Sequence, residues 1–261
     1  MPKFSANLSM MFTEVPFLER FGAAANAGFK AVEFMFPYDY PAQEIKKLLD
    51  KNKLSLVLFN LPAGNWAAGD RGVAVDPRRS EEFRAGVAQA VEYAKVLGTP
   101  RLNCLVGKIL PDVSVAEQQA TMTKNLQFAA DALAAASLTL LVEPLNAKDM
   151  PGFTLSTTRQ VLDVIAAVNR PNVKLQYDIY HAQRMEGELV ATLRKELPRI
   201  AHIQIADNPG RHEPGTGEIN YRFVFAAIGE VGFDGYVGLE YVPAAGTVAG
   251  LSWLKDFGFV L

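Results

Sequence analysis

Residues 139–143 read Thr139-Leu140-Leu141-Val142-Glu143, a short apolar run that predicts a buried strand and ends in a carboxylate. Further β-rich runs occur along the chain, and they alternate with longer segments of helical periodicity. This alternation is typical of βα units around a parallel sheet, and eight such units in 261 residues match the usual size of a barrel. The sequence therefore predicts an α/β fold, a single (β/α)8 TIM barrel over residues 1–261. The predicted strands are Phe4–Leu8, Ala31–Phe34, Ser55–Phe59, Arg101–Leu105, Thr139–Val142, Lys174–Tyr177, Ile200–Ile205 and Tyr236–Leu239.

The composition indicates a small-molecule partner. Lys plus Arg (26) nearly balances Asp plus Glu (28), so a net charge of −2 provides no broad positive field for nucleic acid or an anionic membrane. Cys104 is the only cysteine, which excludes an internal disulfide and predicts a reducing compartment. The sequence starts without the apolar stretch of a signal peptide, and no run approaches the ~20 apolar residues of a membrane span. We therefore expect a cytoplasmic protein, while assembly into a homo-oligomer is left open.

The connection after the third predicted strand is unusually long, running from Asn60 to about Arg79. Loops of this length in compact domains are often lids or binding loops. Trp66 lies within it, and two interpretations carry equal weight. The tryptophan either closes over a bound substrate or packs on the barrel rim.

Four consecutive predicted strands end in a side chain that can bind a hard cation. The carboxyl ends of all strands in a parallel barrel point to one mouth, so these side chains are expected to converge there. One acid at a strand end is ordinarily a helix cap or a partner of a solvated lysine, but several packed carboxylates repel unless a cation lies among them. Oxygen ligands suit Mg²⁺ or Mn²⁺ better than zinc or copper. The four residues are Glu143, Asp178, Gln204 and Glu240.

Motifs along nearly the whole chain resemble those of the hydroxypyruvate isomerases, within the larger xylose-isomerase-like barrel superfamily. Together these motifs are far more specific than any one of them alone. They are residues 4–10 (FSANLSM), 32–40 (VEFMFPYDY), 60–64 (NLPAG), 103–107 (NCLVG), 143–146 (EPLN), 176–181 (QYDIYH), 204–211 (QIADNPGR) and 213–221 (EPGTGEINY).

The resemblance implies that Glu143, Asp178, Gln204 and Glu240 bind a divalent metal, in agreement with the argument from strand ends. It also implies that Glu143 and Glu240 exchange protons with a small hydroxy-keto acid. The implied reaction converts hydroxypyruvate to tartronate semialdehyde through a metal-chelated cis-enediolate. In the related ketose 3-epimerases the third ligand is usually histidine, so Gln204 favours the isomerase branch.

A substrate with its own carboxylate is expected to need a positive group besides the metal. Arg211 is the first candidate because a guanidinium can bind a carboxylate through two hydrogen bonds. By resemblance, His181 points at a substrate oxygen, where a neutral imidazole can donate a hydrogen bond. Asp149 lies where related epimerases place an acid that contacts substrate, and Trp66 is a further candidate contact.

Several other functions stay open at this stage. A 2-oxo-tetronate presents the same carboxylate, carbonyl and hydroxyl groups as hydroxypyruvate, and ketose 3-epimerisation belongs to the same superfamily. A non-catalytic barrel that binds a sugar acid is a further alternative, since fold alone does not establish activity. Abasic-site endonucleases share the barrel, but their zinc clusters need many imidazoles. This chain has three histidines and no basic stripe for phosphate contacts.

Overall fold

Eight strands form one closed parallel barrel in the computed structural model, which describes residues 1–261. Strand order in the barrel follows chain order, and the last strand pairs with the first through Lys3↔Tyr236 to Ala6↔Leu239. The predicted (β/α)8 barrel is confirmed, and every strand boundary lies within one residue of its predicted position. The strands are β1 Lys3–Asn7, β2 Ala31–Glu33, β3 Ser55–Asn60, β4 Arg101–Cys104, β5 Thr139–Val142, β6 Val173–Asp178, β7 Ile200–Ile205 and β8 Tyr236–Leu239.

The helices cover the outside of the barrel, each turning an apolar stripe toward the strands. In the second helix the buried residues Ala42, Ile45 and Leu49 recur at helical spacing. The third helix stops at Gly98, whose φ of 73° is the left-handed conformation that glycine adopts freely. The α-helices are α1 Phe17–Asn26, α2 Ala42–Asn52, α3 Ser80–Leu97, α4 Val115–Ala135, α5 Thr158–Val168, α6 Ile179–Met185, α7 Leu189–Glu196, α8 Tyr221–Glu230, α9 Thr247–Gly250 and α10 Trp253–Asp256; short 3₁₀ helices lie at Pro77–Arg79 and Leu197–Arg199.

The interior of the barrel is polar toward the carboxyl ends of the strands. Glu33 on β2 contacts His202 and Gln204 on β7, and because β2 and β7 are not neighbours these contacts cross the interior. Near the opposite end, Arg101 on β4 donates to the carbonyl oxygen of Ala201 on β7 over 2.9 Å. Alternate residues of a strand face the same side, so each strand delivers its last inward side chain to a common mouth.

No helix has both the length and the apolar character that crossing a membrane requires.

Candidate active site

Three carboxylates and one imidazole meet at the mouth of the barrel. Glu143 directly follows β5, Asp178 is the last residue of β6, and Glu240 directly follows β8. His181 lies in the first turn of α6. One ligand atom from each of these four buried residues lies within 4.8 Å of all the others. The convergence predicted from the strand ends therefore holds for the three acids.

The two carboxylate oxygens of Asp178 have different surroundings. Its Oδ1 accepts from the backbone N–H groups of Tyr180 at 2.7 Å and His181 at 3.2 Å, which makes it the N-cap of α6. Its Oδ2 is buried and has no hydrogen-bond partner. A helix cap was the ordinary alternative to a ligand at this position, and Asp178 acts as a cap while leaving one oxygen free inside the cluster.

An asparagine at the end of an adjacent strand holds each of the two glutamates. Asn103 on β4 donates through Nδ2 to Oε2 of Glu143 over 2.9 Å, and Oε1 of that glutamate is buried without a partner. Asn7 on β1 donates through Nδ2 to Oε1 of Glu240 over 3.2 Å. Both carboxyl groups are thereby oriented by neutral donors, which add no charge to the mouth.

Burial and mutual repulsion keep the two glutamates short of full ionisation. Burial raises the pKa of Glu143 well above its usual value, and the charges of Glu240 and Asp178 raise it further. Burial likewise raises the pKa of Glu240 to about 8, with Arg211 opposing and Asp178 adding to the rise. A shift of this kind is expected where several carboxyl groups share a site of low dielectric constant.

A divalent cation fits this donor set. Unpartnered buried carboxylate oxygens are costly, and Oε1 of Glu143 and Oδ2 of Asp178 are both of this kind. A cation among them would satisfy both atoms and remove the repulsion that raises the pKa of Glu143 and Glu240. The donors are oxygens of carboxylates and amides, the ligands of a hard metal ion such as Mg²⁺ or Mn²⁺.

The hydrogen bonds of His181 define which ring nitrogen carries the proton. The backbone N–H of Asn146 donates to Nδ1 of His181 over 3.1 Å, so Nδ1 is the acceptor and the neutral ring holds its proton on Nε2. Burial lowers the pKa of His181 to about 4, which keeps the ring neutral. Its Nε2 lies 3.7 Å from Oδ2 of Asp178, toward the carboxylate cluster. The ring is consequently a hydrogen-bond donor to the site, and binding a cation through Nε2 would require the other tautomer.

Gln204, the fourth predicted ligand, lies beside Glu240 on the inward side of β7. Its Nε2 donates to Oε1 of Glu240 at 3.3 Å and to Oε1 of Glu33 at 2.8 Å. Its Oε1 accepts from Nε2 of Gln176 at 2.5 Å. An amide oxygen has two lone pairs, so this contact leaves one of them available.

Arg211 lies within the carboxylate cluster. Its Nη2 is 2.5 Å from Oε2 of Glu240 and 4.0 Å from Oδ2 of Asp178. The guanidinium lies 5.1 Å from the centroid of the Tyr180 ring, and its Nε is buried without a partner. The alternative of a solvated loop arginine does not describe this side chain, which keeps one unused donor.

Asp149 and Trp66 make no hydrogen bond to Glu143, Asp178 or Glu240. Asp149 is exposed, and its Oδ2 accepts from the hydroxyl of Tyr180 at 2.6 Å and from Nδ2 of Asn146 at 3.0 Å. Trp66 packs on Phe36 with ring centroids 5.2 Å apart, and the guanidinium of Arg71 lies 3.8 Å from the centroid of its ring. These contacts account for the packing of Trp66 in the loop, and its contact with a bound substrate stays a prediction.

Sequence reasoning missed four residues that support the site. Glu33, Asn7 and Asn103 are buried polar side chains at or near the ends of strands in the first half of the barrel, and Asn146 orients His181. The signal that identified the four predicted ligands, a polar residue after an apolar strand, also exists at Glu33 in Ala31-Val32-Glu33.

Comparisons with known proteins agree with this architecture. A family model described as xylose isomerase-like TIM barrel matches residues 21–257. A hydroxypyruvate isomerase of Escherichia coli strain K12 is 53% identical over 257 residues, covering 98% of this chain and 100% of the relative. A 2-oxo-tetronate isomerase of Cupriavidus necator is 47% identical, covering 98% and 99%. A crystal structure from Brucella melitensis, named as AP endonuclease, family 2, is 46% identical, covers 98% and 99%, and superposes with a TM-score of 0.95.

Proposed function

Because this chain belongs to the xylose isomerase-like TIM-barrel family, within the group of the hydroxypyruvate isomerases, we propose that it converts hydroxypyruvate to tartronate semialdehyde. The observation that carries the proposal is the pair of buried glutamates, Glu143 and Glu240, in one cluster with Asp178. An isomerisation that moves hydrogen between adjacent carbons needs one group to remove a proton and another to deliver one. Two carboxyl groups with raised pKa values suit that exchange.

In the proposed site Glu143, Asp178, Gln204 and Glu240 hold a divalent cation. When bound, such a cation polarises the carbonyl and hydroxyl oxygens of the substrate and stabilises negative charge that develops on them. Mg²⁺ and Mn²⁺ are the proposed ions because the four side chains offer oxygen.

The two glutamates carry the proton transfers. One carboxylate removes a proton from C3 of hydroxypyruvate, which gives an enediolate, and the other carboxyl group delivers a proton to C2. The hydroxyl proton on O3 passes to O2, so that C3 becomes the aldehyde and C2 the alcohol carbon. Oε1 of Glu143 has no partner and is free to accept a proton, while Asn103 holds Oε2. The order of base and acid between Glu143 and Glu240 is left open.

Two further side chains bind the substrate in this proposal. His181 donates from Nε2 to the oxygen on which charge develops, since its Nδ1 is already engaged by Asn146. Arg211 binds the carboxylate of the substrate with its unused Nε and the neighbouring guanidinium nitrogens. Trp66, in the long loop after β3, borders the substrate on one side. Asp149, which accepts from the hydroxyl of Tyr180, borders it on another.

Proton NMR in D₂O tests the proposal directly. The protein with Mg²⁺ is incubated with hydroxypyruvate, a 2-oxo-tetronate and a neutral ketose, and both product and deuterium incorporation are followed. We expect conversion of hydroxypyruvate with exchange at the carbon that gains the proton. Conversion of the 2-oxo-tetronate alone would assign the chain to the second activity, and turnover of the ketose alone would assign it to epimerisation. Binding without any conversion would make it a non-catalytic barrel.

An abasic-site endonuclease is the second candidate, because the related Brucella structure carries that name. The donor set argues against it, since only His181 of the three histidines lies at the carboxylate cluster. His202 contacts Glu33, and His212 contacts the carbonyl oxygen of Val242. Cleavage of a labelled abasic duplex, with salt-sensitive binding, would support the nuclease.

A further inference from the structure

Glu33 is a completely buried carboxylate to which the proposed reaction assigns no role. Its Oε2 accepts from the hydroxyl of Ser5 at 2.8 Å and lies 2.9 Å from Nε2 of His202. Its Oε1 accepts from Nε2 of Gln204 at 2.8 Å and from Nδ2 of Asn7 at 3.3 Å. Burying a carboxylate is costly unless hydrogen bonds compensate it, and both oxygens of Glu33 are engaged.

The two amides that contact Glu33 also contact Glu240. Nδ2 of Asn7 is 3.2 Å from Oε1 of Glu240, and Nε2 of Gln204 is 3.3 Å from the same oxygen. An amide nitrogen carries two hydrogens, so each amide can donate one to Glu33 and one to Glu240. Asn7 and Gln204 are therefore two parallel bridges between Oε1 of Glu33 and Oε1 of Glu240.

The local backbone provides the space and the direction for Glu33. A Cβ atom at position 238 would lie 2.3 Å from Oε1 of Glu33, so only Gly238 fits there on β8. The pairing of β2 with β3 shifts register between Val32 and Glu33, and such irregularities re-aim a side chain. Both features place the carboxylate of Glu33 at the level of the two amides.

We propose that Glu33 is a positioning residue for Glu240. It accepts one N–H from each of Asn7 and Gln204, and so turns both amides to donate their second N–H to Glu240. This inference rests on the proposed function, in which Glu240 exchanges a proton with the substrate. Without an acceptor at position 33, either amide can rotate and present its oxygen to Glu240, which would displace that carboxylate.

Two substitutions at position 33 distinguish the effect of the hydrogen-bond acceptor from the effect of filling the space. Glu33→Met fills the space and removes the acceptor. Glu33→Gln keeps an oxygen for the two amides, because its own nitrogen can turn toward Ser5 and His202. We expect Glu33→Met to lower kcat about 100-fold, the cost typical of a misplaced catalytic group, and to change KM less than about threefold. Glu33→Gln should recover most of the lost kcat.

A second readout does not depend on turnover. In the Mg²⁺-loaded protein, the side-chain NH₂ signals of Asn7 and Gln204 in a ¹H–¹⁵N spectrum report their hydrogen bonds. We expect these signals to move strongly in Glu33→Met and little in Glu33→Gln. The control is Asn172→Ala. Asn172 directly precedes β6, and its side chain donates to the carbonyl oxygens of Ala130 and Leu138, so the substitution removes these hydrogen bonds. It should lower thermal stability without moving the two amide signals or kcat.

Three outcomes would overturn the proposal: kcat of a folded Glu33→Met variant within about threefold of the parent, equal losses in Met and Gln, or amide signals that stay in place. If Glu33→Met does not fold, Asn7→Ala removes one bridge with Glu33 intact and should give a smaller loss of kcat; an unchanged kcat there would also refute it. Failure of the parent protein to isomerise hydroxypyruvate would refute the proposed function, while the amide signals would still decide the role of Glu33.

Discussion

Arg211 donates from Nη2 to Oε2 of Glu240 over 2.5 Å. Arg211 is expected to bind the carboxylate of the substrate, and Glu240 is expected to exchange a proton with the substrate. The positive charge of Arg211 opposes the rise in the pKa of Glu240 that burial causes. In the proposed mechanism, substrate binding and proton transfer are therefore linked through this contact. A change at Arg211 should alter both.

We expect Arg211→Gln to raise KM for hydroxypyruvate by about 10- to 100-fold, the worth of a lost charge-assisted hydrogen bond. It should also move the pH at which Glu240 ionises upward, because the lowering influence of the guanidinium is lost. Steady-state kinetics across pH measure both effects. Arg194→Gln, which breaks only a surface pair with Glu230, is the control. An unchanged KM would exclude Arg211 from carboxylate binding.

Replacing either of the two glutamates proposed to transfer protons by glutamine should stop the reaction while preserving the fold. Glu143→Gln and Glu240→Gln keep the volume and one oxygen but remove the exchangeable proton, so we expect kcat to fall by about 10²–10⁴-fold. Product formation measured by NMR, with circular dichroism for the fold, checks this. Glu230→Gln on the surface is the matched control. Undiminished turnover in Glu240→Gln would refute the role assigned to that residue.

Cation binding should release protons below about pH 8. Glu240, with a pKa of about 8, is protonated in the metal-free protein below that pH, whereas a ligand must be ionised. Affinity for Mg²⁺ or Mn²⁺ should accordingly rise with pH through the range in which Glu240 ionises. Calorimetry in buffers of different ionisation enthalpy measures the number of protons released. Binding that releases none at pH 6.5 would contradict the assignment.

The stability of the metal-free protein should depend on the ionisation of Glu240 and should fall as pH rises. The folded-state pKa of Glu240 is raised from 4.5, so its contribution to stability is fully present below about pH 4.5 and is lost as pH rises toward 8. Glu240→Gln removes this dependence, and the variant should be the more stable protein at pH 8. Urea unfolding at pH 5 and pH 8 in EDTA provides the comparison. A parent protein that gains stability relative to the variant over this window would contradict the pKa of Glu240.

Much of the fold and part of the site were predictable because they depend on local pattern. Apolar runs such as Thr139–Val142 and Tyr236–Leu239 define strands by themselves, and the parallel barrel then brings Glu143, Asp178 and Glu240 to one mouth. These predictions required no knowledge of how one strand faces another across the interior.

The supporting contacts were not predictable because they join residues far apart in the chain. Asn7 reaches Glu240 across 233 positions, and Glu33 reaches Gln204 across 171. Which amide nitrogen faces which carboxylate depends on register shifts such as the one at Val32 and Glu33, and sequence periodicity does not define these shifts. The tautomer of His181 likewise depends on a backbone N–H, which every residue other than proline offers.

Gly72, in the long loop after β3, lies against the backbone that follows β4. Gly72 has φ of 108°, and a Cβ there would lie 1.8 Å from the carbonyl oxygen of Leu105. Gly72→Ala must therefore shift the loop, at a cost of about 1–3 kcal/mol for the strained backbone alone. We expect a lower melting temperature and, if Trp66 borders the substrate, a higher KM for hydroxypyruvate. Gly69→Ala, where φ is 97° but no atom lies within 4 Å of the added Cβ, controls for backbone strain without the clash. Equal KM values in the two variants would separate Trp66 from substrate binding.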